Sequence, residues 1–249
     1  MNFTIERLET CVSTNLLAKE RARDGAPEGT VIVADEQTEG RGTRGRRWFS
    51  PPGAGLYVSV ILRPEMDVSL SLLPLAAGLA ARAAVERVSG VPVKVRWPND
   101  IVWERRKIGG VLCESGLSGF QLKYAIVGFG LNCDQNENDF PEELRSSAGS
   151  LLQAAGGPVE REMLLGAFLE ELVTAVAPLI EHRASDVIER FLRHSEARIG
   201  DAILLQTAGG DVSGVFEGLD SDGSVRISTP GGQRRLVSSE ITSFGLAPR

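Results

Sequence analysis

Apolar and polar positions are arranged in short blocks through the first two-thirds of the chain. Residues 30–36 (TVIVADE) and 56–62 (LYVSVIL) are brief runs rich in β-branched side chains, as strands are. Residues 93–97, 111–114 and 122–127 predict further strands. Between Leu70 and Val88 the rhythm changes: Leu72, Leu75, Leu79 and Ala83 recur at spacings of three and four, an apolar helical stripe. A longer helix is predicted over residues 161–176, with Leu165, Phe168, Leu169, Leu172, Val173 and Val176 on one side. A shorter one follows, burying Val187, Ile188, Phe191 and Leu192. The mixture predicts an α/β or α+β fold, with the strand order left open.

The pattern shifts near Gly200. Four short strand-like runs follow, separated by Gly209-Gly210, Asp222-Gly223 and Pro230-Gly231-Gly232. These are turn signals, and Asp-Gly suits a type I′ hairpin. A small antiparallel β-barrel appended to a larger unit is therefore expected, with the division at residues 1–196 and 197–249.

Lys and Arg number 27 against 33 Asp and Glu, a net charge of −6, which disfavours general nucleic-acid binding. Cys11, Cys113 and Cys133 form no C-x-x-C and lie far from His182 and His194. Neither a disulfide framework nor a zinc site is expected, and a reducing cytoplasmic compartment fits. The start, MNFTIERLET, lacks the apolar run of a secretory signal. The apolar stretch at residues 70–81 is interrupted by Pro74 and Gly78 and falls short of the ~20 residues a membrane span needs.

Candidate chemistry concentrates in residues 40–48, GRGTRGRRW. Arg41, Arg44, Arg46 and Arg47 bring fixed positive charge into an acidic chain, and Gly40, Gly42 and Gly45 permit positive φ and close backbone approach. An oxyanion-rich ligand would use both features. Gly40-x-Gly42-x-x-Gly45 matches a dinucleotide fingerprint and Gly40-x-x-x-x-Gly45 a Walker A loop, but neither opens into a helix here. The chain runs instead into Trp48-Phe49-Ser50-Pro51-Pro52-Gly53. A solvated arginine-rich loop is the plain alternative, against which the adjacent aromatics weigh.

Most other clusters have two readings. Arg96-Trp97-Pro98-Asn99-Asp100 reads as a strand-ending turn, with Pro98 setting its rigidity and Asn99 and Asp100 typical turn residues. Lys107-Ile108-Gly109-Gly110-Val111-Leu112-Cys113-Glu114 reads as a hairpin entry or as a lysine aimed into a pocket. Gly128-Phe129-Gly130-Leu131-Asn132 reads as a glycine bulge or a ligand-facing strand end. Ser13-Thr14-Asn15 reads as a helix N-cap or as a polar head-group site. Cys113 and Cys133 read as small buried hydrophobes.

Taken in order, Ser-Thr-Asn, Gln37, GRGTRGRRW, WPND, KIGGVLCE and GFGLN resemble the biotin protein ligase family, from Ser13 to Asn132. The resemblance implies an α+β fold: a mixed β-sheet catalytic domain flanked by helices, related to class II aminoacyl-tRNA synthetases, with a small C-terminal SH3-like β-barrel. It implies an ATP-dependent ligase that activates biotin as biotinyl-5′-AMP. Biotin then passes to a lysine of a biotin carboxyl carrier protein or domain. ATP with Mg²⁺ and biotin are the implied small molecules. The chain would act as a monomer or homodimer, with no nucleic acid or membrane partner, since twelve residues before Ser13 leave no room for a helix-turn-helix.

The resemblance also assigns roles. Ser13, Thr14, Asn15 and Gln37 would hold the biotin ureido end, and Arg41, Gly42 and Thr43 the carboxylate and phosphate side. Lys107 would touch both carboxylate and α-phosphate, making Lys107, Arg41 and Asp100 the catalytic set. Arg44, Arg46, Trp48, Asn99, Gly110, Gly128, Gly130 and Asn132 would serve the nucleotide, with Trp48 packed on the adenylate. Asp100 would assist Mg²⁺ or orient the acceptor amine. Thr43 departs from the family's GRGRxGR, removing one cation. A lipoate or octanoate transferase on the same fold, and a non-catalytic biotin-sensing module, are the alternatives.

Overall fold

The structure is a computed structural model describing residues 1–64, 69–119 and 121–247. Its centre is a seven-stranded sheet. In chain order the strands are β1 (Thr4–Cys11), β2 (Thr30–Gln37), β3 (Gly55–Leu62), β4 (Lys94–Arg96), β5 (Asp100–Trp103), β6 (Arg106–Ser118) and β7 (Gln121–Asn132). They lie in the order β1-β2-β3-β7-β6-β5-β4, with β1 and β2 parallel and every other pair antiparallel.

Strand periodicity divides this sheet into two differently used faces. On β3 and β7, Val58, Val60, Val127, Phe129 and Leu131 face one way, joining the main core beneath α2 (Leu73–Ser89) and α4 (Arg161–Ile180). On the other face Ile32, Ile61, Tyr124 and Ile126 pack against Ala18 and Ala22 of α1 (Thr14–Arg23). The single helix α1 covers only part of that face. The uncovered part, beside the start of α1, holds the cavity described below.

Several predicted elements are longer than their apolar signal. Residues 111–114 and 122–127 are parts of β6 and β7, whose remaining residues include glycine and polar side chains but still pair, with one register shift between Gly116 and Leu117. The predicted strand at 93–97 narrows to Lys94–Arg96, and Asp100, read as turn, opens β5. The stripe on α2 understates its burial: Leu73, Ala76, Ala77, Ala80, Ala81 and Ala84 are buried as well, because α4 covers its outer side. Pro74 sits in its first turn and Gly90, at φ 70°, ends it.

Helix α4 continues through Pro178 to Ile180, since a proline near the last turn removes only one N–H from the ladder. It is long and apolar enough to cross a membrane, and is a stronger candidate than residues 70–81. Its apolar residues Leu164, Leu165, Phe168 and Leu172 are nevertheless buried within the protein core. A short helix α3 (Leu151–Ala155), absent from the sequence reading, precedes it, and α5 (Ala184–His194) follows.

The C-terminal part forms a five-stranded antiparallel sheet rather than four strands. It comprises β8 (Ala202–Thr207), β9 (Gly210–Leu219), β10 (Val225–Thr229), β11 (Gly232–Leu236) and β12 (Ile241–Leu246), in the order β11-β10-β9-β8-β12. The turn at Asp222-Gly223 is not type I′: Gly223 has φ 83°, whereas Asp222 is not among the residues with positive φ. Gly223 N–H donates to Asp220 O at 2.8 Å and Asp220 N–H to Ser224 O at 2.9 Å, a longer loop closed by a left-handed glycine. Its core residues, including Ile203, Phe216 and Phe244, are continuous with the main core.

Candidate active site

The start of α1, the middle of β3 and the ends of β6 and β7 enclose a cavity of about 360 Å³. Register explains its floor. Gly130 pairs with Gly110 and Tyr57, and Gly128 with Leu112 and Ser59, so two glycines of β7 face the cavity while Phe129 between them faces the helices. Neither glycine tolerates a side chain. A Cβ on Gly128 would lie 2.0 Å from Asn15 Oδ1, and one on Gly130 would lie 2.5 Å from Trp48 Nε1.

At one end, Ser13 occupies the N-cap position of α1 but its hydroxyl caps nothing, so the capping account of Ser13-Thr14-Asn15 fails for the side chain. The three residues are buried in the cavity wall. Gln37 Oε1 accepts from the Thr14 N–H at 2.9 Å and the Thr14 hydroxyl at 3.1 Å, and its Nε2 donates to Ser50 Oγ at 2.9 Å. Ser59 Oγ lies 2.8 Å from Thr14 Oγ1 and 2.6 Å from Asn15 Oδ1. Asn15 Nδ2 donates to Leu112 O and Glu114. Both amides are thereby fixed in orientation.

At the other end, Lys107 Nζ lies 2.6 Å from Asp100 Oδ1 and 5.3 Å from the centroid of the Trp48 ring. Trp48 Nε1 is buried and has no hydrogen-bond partner among the described residues, an unsatisfied donor in the cavity wall. Asn99 lines the cavity, but its Nδ2 donates to Val111 O and ties the turn between β4 and β5 to β6. Asn132 likewise donates to Gly149 O at 2.9 Å.

The arginine segment folds back on itself. Gly42 N–H donates to Arg46 O at 2.7 Å, Trp48 N–H to Gly40 O at 2.8 Å, and Arg41 bridges Arg47. Of the three glycines only Gly45 takes a positive φ, 73°; Arg44 shares that region at 59°. Gly40 is required for space instead, since a Cβ there would lie 2.5 Å from both Ser50 Oγ and Trp48 O. Thr43 Oγ1 accepts from Arg46 Nη2 at 2.8 Å. Arg46 also donates to Thr242 O at 3.3 Å and Arg44 to Ser238 O, so two of the arginines grip the C-terminal sheet.

Ser13, Thr14, Asn15, Gln37, Arg41, Gly42, Thr43, Arg46, Trp48, Asn99, Asp100, Lys107, Gly110, Gly128, Gly130 and Asn132 all line this cavity. Arg44 does not; it lines an adjoining cleft against the C-terminal sheet. Ser59, Lys19 and Glu114 escaped the sequence reading as site residues. A serine inside the apolar run LYVSVIL marks the first, and Lys19, four residues after Asn15, shares its face of α1. Glu114 accepts from Lys19 Nζ at 2.8 Å and Asn15 Nδ2 at 3.0 Å, with Arg41 Nη1 at 3.6 Å. Burial pushes its carboxyl upward, but the Lys19 and Asn15 hydrogen bonds and the charges of Lys19 and Arg41 outweigh that and hold it below the usual range. Cys133 is buried and its thiol pushed up to about 12 by desolvation; Cys113 is only half-buried.

Residues 8–132 match the profile of the biotin/lipoate A/B protein ligase family, and residues 199–242 that of the biotin protein ligase C-terminal domain. The chain is 34% identical over 231 residues to the bifunctional ligase/repressor BirA of Bacillus subtilis, covering 92% of this chain and 70% of that protein. It is 32% identical over 236 residues to the biotin–[acetyl-CoA-carboxylase] ligase of Mycobacterium tuberculosis, covering 91% and 84%. The biotin protein ligase from Aquifex aeolicus, solved with biotin and ATP, superposes with a TM-score of 0.83 at 30% identity, over 98% of this chain and 99% of that one. With the glycine floor, the fixed amides and the cationic segment in one cavity, the chain belongs to the biotin protein ligase family.

Proposed function

We propose that this chain carries out two steps at that cavity. The carboxylate of biotin attacks the α-phosphate of ATP, which enters as its Mg²⁺ complex, giving biotinyl-5′-AMP and pyrophosphate. The ε-amine of a lysine on a biotin carboxyl carrier domain then attacks the acyl carbon, forming an amide and releasing AMP.

A carboxylate meeting a triphosphate is anion against anion, so fixed cations must offset the repulsion as charge shifts in the transition state. Lys107 and Arg41 supply them on the cavity wall. The Asp100 carboxylate holds the Lys107 ammonium in place and stands ready to orient the acceptor amine once Lys107 turns to the phosphate. Mg²⁺ would be carried in on the ATP phosphates, with Asp100 beside it. The amides of Asn15 and Gln37 and the hydroxyl of Ser13 receive the polar ureido ring. Trp48 covers the nucleotide side, and Gly110, Gly128 and Gly130 leave room for the extended adenylate. The adenylate is labile to water, so a segment that closes over it protects the intermediate.

Residues 1–196 form the catalytic unit in this reading, and residues 197–249 the unit that anchors the arginine segment. The acceptor is a protein rather than a nucleic acid, in keeping with the net charge of −6, and the free cysteines fit a reducing cytoplasm.

One observation carries this reading: Lys107, Arg41 and a floor without side chains meet in a single cavity. Labelled biotin should enter a carrier domain only when ATP is present, and Lys107→Ala should abolish biotin-dependent ATP–pyrophosphate exchange. Near-normal exchange in that variant would remove Lys107 from the chemistry. Labelling independent of ATP would remove the reaction.

A further inference from the structure

The carboxylate of Glu114 stands behind the cavity wall with two cations on one oxygen. Lys19 Nζ is 2.8 Å from Oε1, a hydrogen-bonded ion pair with both side chains mostly buried. Arg41 Nη1 is 3.6 Å from the same oxygen, within ionic range but beyond a hydrogen bond, and its side chain is 38% exposed. Oε2 receives Asn15 Nδ2 at 3.0 Å. The two cations are therefore held unequally: Lys19 is fixed and Arg41 is loose.

We propose that Glu114 is a positioning residue that keeps Arg41 in store beside the cavity, with Lys19 as its permanent counter-ion. An anionic ligand can then draw Arg41 away without leaving a part-buried carboxylate bare. The inference deepens the proposed function and rests on it. Without Lys19, departure of Arg41 would strand the Glu114 charge next to the phosphate that Arg41 must reach, and that cost would oppose binding. With Lys19, the carboxylate stays neutralised and the guanidinium is free to leave. Lys19 lies outside every motif that carries the family resemblance, so its part in the site follows from the geometry alone.

The test is the dissociation rate of a sulfamoyl analogue of biotinyl-5′-AMP from the full chain and four variants. Lys19→Met makes Arg41 the only cation on Glu114, and the analogue should leave about tenfold faster, a size usual for coupled neighbours. Glu114→Gln releases Arg41 and slackens the hold on Asn15, and should speed dissociation by about threefold. The double variant Lys19→Met/Glu114→Gln should regain the slower rate of Glu114→Gln alone, and Lys19→Arg should match the wild type. Losses that add in the double variant, or a tenfold loss in Lys19→Arg or Glu114→Gln, would overturn the inference. Should Lys19→Met fail to fold by its melting curve, Glu114→Gln and Lys19→Arg still decide. A wild-type chain that does not bind the analogue would instead overturn the proposed function.

Discussion

Residue-scale geometry is tightest at Gly128. A methyl group there meets Asn15 Oδ1 at 2.0 Å, and Asn15 cannot retreat because Leu112 O and Glu114 hold its amide. Gly128→Ala should therefore weaken biotin binding by calorimetry and cost about 1–3 kcal/mol of folding stability by urea titration, the usual range for overfilling a packed site. Glu114 gives a pH signature. Its carboxyl is held below the ordinary range, so its contribution to stability is complete above the unfolded value and is lost as pH falls through the lower folded one. The stability margin of the wild type over Glu114→Gln should thus be full at neutral pH and shrink as pH falls below the ordinary carboxylate range of about 4, which urea unfolding at a series of pH values would check. Much of the site was legible at this scale because glycine, lysine and arginine at fixed spacings mark it. Lys19 was not legible: a lone lysine on a helix looks solvated until the strand carrying Glu114 is placed against it.

Among the elements, β7 does the most with the least sequence. Its alternation puts glycine toward the cavity and Phe129 toward Phe168 of α4, with ring centroids 4.6 Å apart. Phe168→Ala should lower unfolding free energy by about 3–5 kcal/mol in urea titration, a typical loss for a buried aromatic. It removes no side chain from the cavity wall, so biotin affinity of the remaining folded protein should change little. Strand and helix types were readable from periodicity, because each buries one face and the pattern records it. Lengths were not, since β6 and β7 extend through glycine and polar residues whose pairing is dictated by their neighbours. The type I′ turn failed for a related reason: the Asp222 carboxylate accepts from both the N–H and the hydroxyl of Ser224, which closes a longer loop than a two-residue hairpin.

At the scale of the whole molecule, the C-terminal sheet closes onto the catalytic part through defined contacts. Trp97 Nε1 donates to Gly223 O at 2.9 Å and its ring meets Phe244 at 5.9 Å, both within one continuous core. Trp97→Phe keeps the apolar contact but strands a carbonyl, and should cost about 1–3 kcal/mol while leaving a single cooperative unfolding transition by calorimetry. None of these junctions was visible in the sequence, where Trp97 stood at the end of a predicted strand and the last fifty residues carried no transferable motif.

The grip of Arg44 and Arg46 on the carbonyls of Ser238 and Thr242 has an effect that reaches beyond stability. In the proposed cycle, an arginine segment that opens to let product out would also let go of a surface that lies outside the pocket. Turnover would thereby be exposed to influence from afar: an antibody fragment clasping residues 238–242 should slow the enzyme's cycle without ever competing for the vitamin.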